Sequence, residues 1–230
     1  MSSGWWIADL WQSGQTVLLA SWIIWVIVSI CLHELGHGVA AIWEGDDTPR
    51  IKGHMTFNPM VHMGGPSLIV FLLIGFAWGL MPVNPYNFRH RRWGEAIVAA
   101  AGPAVNLILA VILLTTAGIV SGLFLSMDPK PEWADNLFTF LLIGGWLNLI
   151  LLALNLLPIP PLDGSRILAS FSDPYARLLM NPQSQLIGLG IFVLIFWVTD
   201  VGLVFMLLMR SISDNWAGMV QGVILGLTGG

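Results

Sequence analysis

SICLHELGHGVAAI, residues 29–42, sets two histidines and a glutamate inside a run that is otherwise apolar. An isolated charge near mid-bilayer costs about 2.5–3.5 kcal/mol on insertion scales, so ionisable groups kept at such a place have a task. His33 and His37 are four residues apart. At about 3.6 residues per turn they project from nearly the same face of a helix, with Glu34 beside them. The question is whether this helix crosses a membrane and what its three polar groups hold.

The surroundings answer the first half. Of the 230 residues, 56% are hydrophobic and 10% charged, and the mean hydropathy is +0.80. A soluble domain carries about 25% charged residues. Crossing about 30 Å of hydrocarbon takes about 20 helical residues. Residues 16–43 form one such run, broken only by the group in question; 96–127 and 137–162 contain no charge, and 178–209 is interrupted only by Asp200. The expected fold class is therefore an all-α polytopic membrane protein with about four full transmembrane helices. Two shorter runs accompany them. Residues 67–81, between Pro66 and Pro82, read as a re-entrant or short helix, and residues 216–227 as a short C-terminal helix at the interface. Trp5, Trp6, Trp11, Trp43, Trp93 and Trp133 fall near the boundaries, as interfacial belts require. We expect a single membrane-embedded domain over 1–230, with its core at 16–168 and C-terminal helices at 178–230.

Other classes are excluded or narrowed by the same inventory. No basic stripe suggests a nucleic-acid partner. The single cysteine, Cys31, rules out an intrachain disulfide. No Lys or Arg precedes Arg50, so the basic region of a cleaved signal peptide is missing and the first helix is expected to stay.

The spacing of His33, Glu34 and His37 matches H-E-x-x-H. In the zinc-hydrolase reading both imidazoles bind the ion, and the glutamate is a base rather than a ligand. Interhelical hydrogen bonds, a proton path, or a transporter using the groups as transient metal sites are the competing readings. Charge accounting favours zinc. Zn²⁺ with two neutral imidazoles and one carboxylate carries +1, which ionised Glu34 neutralises. A third ligand has to come from elsewhere. His54, His62, His90 and several aspartates are candidates, among which Asp163 stands out at the end of NLLPIPPLDG, residues 155–164. Pro158, Pro160 and Pro161 break a helix there, and irregular backbone at membrane depth is tolerated only when buried or lining a wet cavity. Against this stands an ordinary proline-rich turn emerging into water with Asp-Gly at its tip.

HELGH at 33–37, AAAGPAVN at 99–106 and NLLPIPPLDGSRIL at 155–168, in that order, resemble the motifs of the site-2 protease family of intramembrane zinc metalloproteases. The resemblance implies one Zn²⁺ per chain, held by His33, His37 and Asp163, with Glu34 as catalytic base. It places Asn106 near the active site, where contact with substrate or oxyanion is expected. It also implies cleavage within or beside transmembrane segments of other membrane proteins. Two departures stand out. Asn58-Pro59 is followed by HMGGP at 62–66 where the family often continues His-Ile-Asp-Pro, and no stretch here reads as the PDZ domain that many relatives carry.

Topology bears on the metal site. If 67–81 crossed the bilayer, His33 and Asp163 would lie toward opposite faces. If it does not, Arg50, Lys52, Arg89, Arg91, Arg92, Arg166 and Arg177 share a side against Lys130 and Arg210, seven to two instead of five to four. The positive-inside rule favours that arrangement, with the active site toward the cytoplasmic side and the N-terminus outside. RIKGHMTFN, residues 50–58, alternates polar and apolar residues and predicts a small β element after the first helix. An edge there would hold an unwound substrate extended, and His54 on it is a candidate for substrate contact.

Overall fold

A computed structural model of the chain describes residues 4–125 and 127–228. Residues 1–3, 126 and 229–230 of the expected domain and C-terminal helices lie outside the described residues. Three helices are long and apolar enough to cross a membrane. They are α2 (Thr16–Trp43), the continuous segment Arg91–Phe124 that contains α6 (Arg91–Val120), and α7 (Glu132–Asn155); α1 (Trp6–Gln12) precedes them. At ~1.5 Å per residue the shortest of the three, α7, spans ~36 Å, enough for ~30 Å of hydrocarbon.

Small residues set how closely these helices meet. A Cβ on Gly36 of α2 would lie 2.8 Å from Val105 and 3.0 Å from the Ala101 carbonyl of α6, so the two backbones touch there. Gly144 of α7 is filled by the Trp25 ring, whose indole N–H donates to the Phe140 carbonyl at 2.9 Å. Lipid offers helices no hydrophobic reason to associate, so close packing and interhelical hydrogen bonds bind them instead. Outward-facing Leu107, Ile108 and Ile112 stay exposed, as a lipid-facing flank should.

Between α2 and α6 the chain folds twice on itself. α3 (Thr48–Ile51) and α4 (Pro59–His62) are single turns, and α5 (Gly64–Ile74) has only 11 residues. That is ~16 Å of helix, too short to cross alone. Gly75 ends it in the left-handed conformation, φ 78°, and residues 76–84 return without regular secondary structure. Ser67 fastens the return: its hydroxyl donates to the Trp78 carbonyl at 2.7 Å and accepts from the Trp78 N–H at 2.9 Å. The Leu80 N–H donates to the His62 carbonyl at 2.9 Å.

Three expectations are corrected. The β element at 50–58 is absent, and no strand occurs among the described residues. Asp46 accepts from the Thr48 backbone and hydroxyl and so starts a helical turn, while Gly53, φ 71°, breaks the alternation. The fourth span at 178–209 is broken as well. α9 (Asp173–Leu179) and the helix Gln183–Phe196, which contains α10 (Gln183–Val193), meet at 96°. After the π-helical turn Leu194–Val198, Thr199 turns extended and Val201 opens a new helix whose Val204 N–H bonds the Asp200 carbonyl. Finally, the C-terminal helix is long: α11 (Val201–Thr228) packs its Ala217 and Val220 against Gly118 of α6. Arg210 lies in the middle of α11, paired with Asp214 at 3.0 Å, and not beyond the end of a span.

Candidate metal centre

His33 is the eighteenth residue of α2 and His37 lies six residues from its end, which sets the pair ~9–15 Å inside that end. Asp163 is the first residue of α8 (Asp163–Phe171), with Leu162 in extended backbone before it. An anion is favoured there by the helix dipole. The proline-rich turn therefore runs inward, not into water. Gly164 packs so tightly on the Leu156 and Leu157 carbonyls that a Cβ would collide with both, and Tyr175 donates its hydroxyl to the Pro158 carbonyl at 2.7 Å.

The structure brings His33, His37 and Asp163 together. The two Nε2 atoms are 3.0 Å apart, and Asp163 Oδ2 lies 3.1 Å from His33 Nε2 and 3.3 Å from His37 Nε2. Zn–N bonds of about 2.0–2.1 Å in tetrahedral array require ligand atoms ~3.3 Å apart.

The protons decide what this triangle can hold. His33 Nδ1 donates to Asn106 Oδ1 at 2.6 Å and His37 Nδ1 donates to the Val98 carbonyl at 2.7 Å. A neutral imidazole protonated on Nδ1 turns a lone pair outward on Nε2. Two lone pairs and a carboxylate oxygen therefore converge with no proton among them. Such a donor set suits a cation, and its nitrogen and oxygen chemistry suits zinc. Gly102 of α6 leaves the room: a Cβ there would sit 2.5 Å from both Nε2 atoms.

Glu34 is buried and lies against the backbone of Gly79, where a Cβ would collide with its carboxylate. Both belong to a cavity of about 780 Å³ that also exposes His33, His37, Asp163 and, on its charged side, Glu95 and Arg166. In the returning stretch, Trp78 and Leu80 spend backbone groups on Ser67 and His62. Ala77, Gly79 and Met81 make no such backbone bond among the described residues, and they line the cavity with their neighbours.

Two sequence candidates take different places. Asn106, fully buried, stands behind His33; its amide donates to Asn148 Oδ1 at 2.9 Å, and Asn148 donates to Ser29 and the Gly144 carbonyl. Its oxygen accepts from the imidazole of His33. His54 lies off the cavity wall beside His62, ring centroids 6.1 Å apart. Burial, reinforced by the His62 charge, holds the His54 imidazole below its ordinary value. Missed from sequence were Gly102, Gly79, Ser67 and the Val98 carbonyl. Only Gly102 left a trace, as part of AAAGPAVN.

A model described as peptidase family M50 matches residues 21–127 and 118–199. Relatives that carry the name "Putative zinc metalloprotease" include the following two. YwhC of Bacillus subtilis (strain 168) is 37% identical over 181 residues, which are 78% of this chain and 81% of the relative. Rip2 of Mycolicibacterium smegmatis is 35% identical over 176 residues, 74% of this chain and 62% of the relative. "Zinc metalloprotease MJ0392" of Methanocaldococcus jannaschii is 29% identical over 196 residues, 84% of this chain and 47% of its own length. No solved structure matches the chain.

Proposed function

Because the chain belongs to peptidase family M50 and is an intramembrane zinc metalloprotease, we propose that it cuts peptide bonds in or near the transmembrane segments of membrane-anchored proteins, with its own residues in the following roles. His33, His37 and Asp163 hold one zinc ion. When bound, zinc supplies Lewis-acid chemistry, polarising a carbonyl and bringing the pKa of water to about 7. Glu34 takes the proton from the attacking water and returns it to the leaving amine. Asn106 and the Val98 carbonyl fix the tautomer and the direction of the two imidazoles, the task of groups behind a metal ligand. The observation that carries this reading is the triangle of proton-free donor atoms, 3.0–3.3 Å on its edges, with a carboxylate one residue away.

A helical substrate hides its peptide bonds in its own hydrogen bonds and has to unwind before attack. The free backbone of Ala77, Gly79 and Met81 offers an unwound strand new partners, as sheet edges do for extended peptides. Contact between Glu34 and Gly79 puts that strand within reach of the base. Since the 11 residues of α5 are too few to cross, we read 64–84 as staying on one side of the bilayer, the arrangement that favours an active site toward the cytoplasmic face and an N-terminus outside.

The test is Glu34→Gln in the purified, zinc-loaded chain. Zinc should stay at about one ion per chain, because a side chain that is not a ligand has been changed. Cleavage of a membrane-tethered substrate should fall at least 100-fold, the lower range for loss of a general base. Retained cleavage would remove Glu34 from the role of base, and transmembrane metal flux without cleavage would favour a transporter.

A further inference from the structure

Beside the catalytic cavity lies a second, smaller space that none of the roles above uses. This annex has a volume of about 340 Å³. It shares Ile30, Phe76, Ala77, Leu151, Leu154 and Phe192 with the catalytic cavity, so the two spaces adjoin. Its far wall is Trp22 of α2, Phe196 of the π-helical turn, and Phe205 and Met206 of α11. The aromatic rings brace one another, with Phe192 and Phe196 stacked at 4.8 Å and Phe205 edge-on to Phe196 at 5.4 Å. Among the described residues no ionisable side chain lines the annex.

We propose that this annex receives one large apolar side chain of the unwound substrate, next to the cleaved bond, and so selects which bond is cut. Size argues for a side chain. One helical turn, ~5.4 Å long and ~10 Å across, fills roughly 400 Å³, more than the annex holds. A helix cannot enter; a single Leu, Phe or Trp side chain can. Adjacency argues for the position. A strand lying along 76–83 passes Phe76 and Ala77, which belong to both spaces, so a side chain near the cut bond is the one that reaches the annex. The walls argue for the chemistry, because a charged side chain would find no partner there. One methylene more or less in an apolar pocket changes kcat/KM by about 10–200-fold. This proposal rests on the hydrolase reading.

The experiment uses the full chain with zinc and a set of tethered single-pass substrates, identical except for Asp, Ala, Leu or Phe at each of the two residues flanking the mapped cut. At one of those positions Leu and Phe should raise kcat/KM at least tenfold over Ala, and Asp should be worst. Met206→Trp fills the annex and should lower the Phe-to-Ala ratio at least tenfold. Phe205→Ala enlarges it and should shift the preference toward Trp. Equal rates across the set, or ratios untouched by both variants, would overturn the proposal. A second measurement does not depend on turnover. A photoreactive phenylalanine analogue at the flanking positions, held in the Glu34→Gln chain, should label Val26, Leu147 or Met206. Labelling elsewhere in the chain, or of phospholipid, would also overturn it. A wild-type chain that cuts nothing defeats the hydrolase reading, while the labelling still decides what fills the annex.

Discussion

Asp46 and Asp163 are both drawn inward beside α2, and their neighbours treat them in opposite ways. Asp46, fully buried, accepts from the Thr48 backbone and hydroxyl, the Asn84 N–H at 2.7 Å and the Asn87 amide at 2.9 Å. Every contact brings a proton, so the anion is complete within the protein. Asp163 meets two imidazole nitrogens whose protons point away, to Asn106 and Val98. Nothing in its immediate company neutralises it. A carboxylate met by donors is a structural fastening, whereas one met by acceptors needs a cation. Burial and charge do not tell the two apart; the direction of the protons does.

If that contrast is right, Asp163→Ala should be the most damaging change in the molecule. Zinc in the purified chain should drop from about one ion to below a tenth, and proteolysis should vanish, because a site with three protein ligands would keep two. Metal analysis by mass spectrometry reads the first and the tethered-substrate assay the second. Full zinc retention would break the comparison at its root. A pair of glycines sharpens it next. Gly102→Ala pushes a methyl group against both Nε2 atoms and should cost zinc, while Gly79→Ala pushes one against Glu34 and should cost activity with zinc retained. If both variants lost the ion equally, Gly79 would be supporting the whole site, not the base alone.

A smaller effect is expected behind His33. Asn106→Ala leaves the three donor atoms in place but frees the imidazole to rotate, and removal of such partners costs about 10–100-fold in metal affinity or activity. Zinc competition with a chelator of known affinity measures it. Asn148 holds the Asn106 amide, so Asn148→Ala should act in the same direction and more weakly. The pair should be non-additive, since the second change removes a support the first has already made useless.

Much of this site is readable in the sequence because part of it is local. HELGH lies within one helix, where a spacing of four fixes the facing of both imidazoles. Asp163 lies 126 residues after His37; the proline run marked it as unusual, but only resemblance to a family tied it to the ion. Asn106 lies beside the ion site as the resemblance implied, but its bond to His33 was not legible, because an asparagine in an apolar run shows that a hydrogen bond is wanted without showing to whom. Gly102 and Gly79 act by the absence of a side chain against an atom from another element, and no spacing reveals that. The three long spans follow from hydropathy. Hydropathy also joined 178–209 into one helix, since it averages over Asp200 and the extended Thr199. The alternation at 50–58 failed for a related reason: a period of two says nothing of Asp46, four residues upstream, whose carboxylate had already started a helical turn.

The smallest expected effect tests the other half of the comparison. Burial alone would raise the Asp46 carboxyl, but hydrogen bonds from Thr48, Asn84 and Asn87 outweigh it and hold the group below the ordinary carboxylate value. A carboxyl whose pKa is lowered by folding adds stability that is fully present above its unfolded value, about 3.9, and is lost as the pH falls through the lower folded value. Asp46→Asn replaces an acceptor oxygen with an amide that turns protons toward donors. At neutral pH it should cost about 1.5–3 kcal/mol, the range for a hydrogen bond to a charged group, and leave zinc content and cleavage specificity as they were. Thermal melts in detergent from pH 7 down to about 3 should show the gap between the two chains closing as the wild type loses its advantage. A gap that stayed constant would mean that Asp46 holds residues 84–87 by shape instead of charge, and the proton-based distinction between the two aspartates would lose its simpler member.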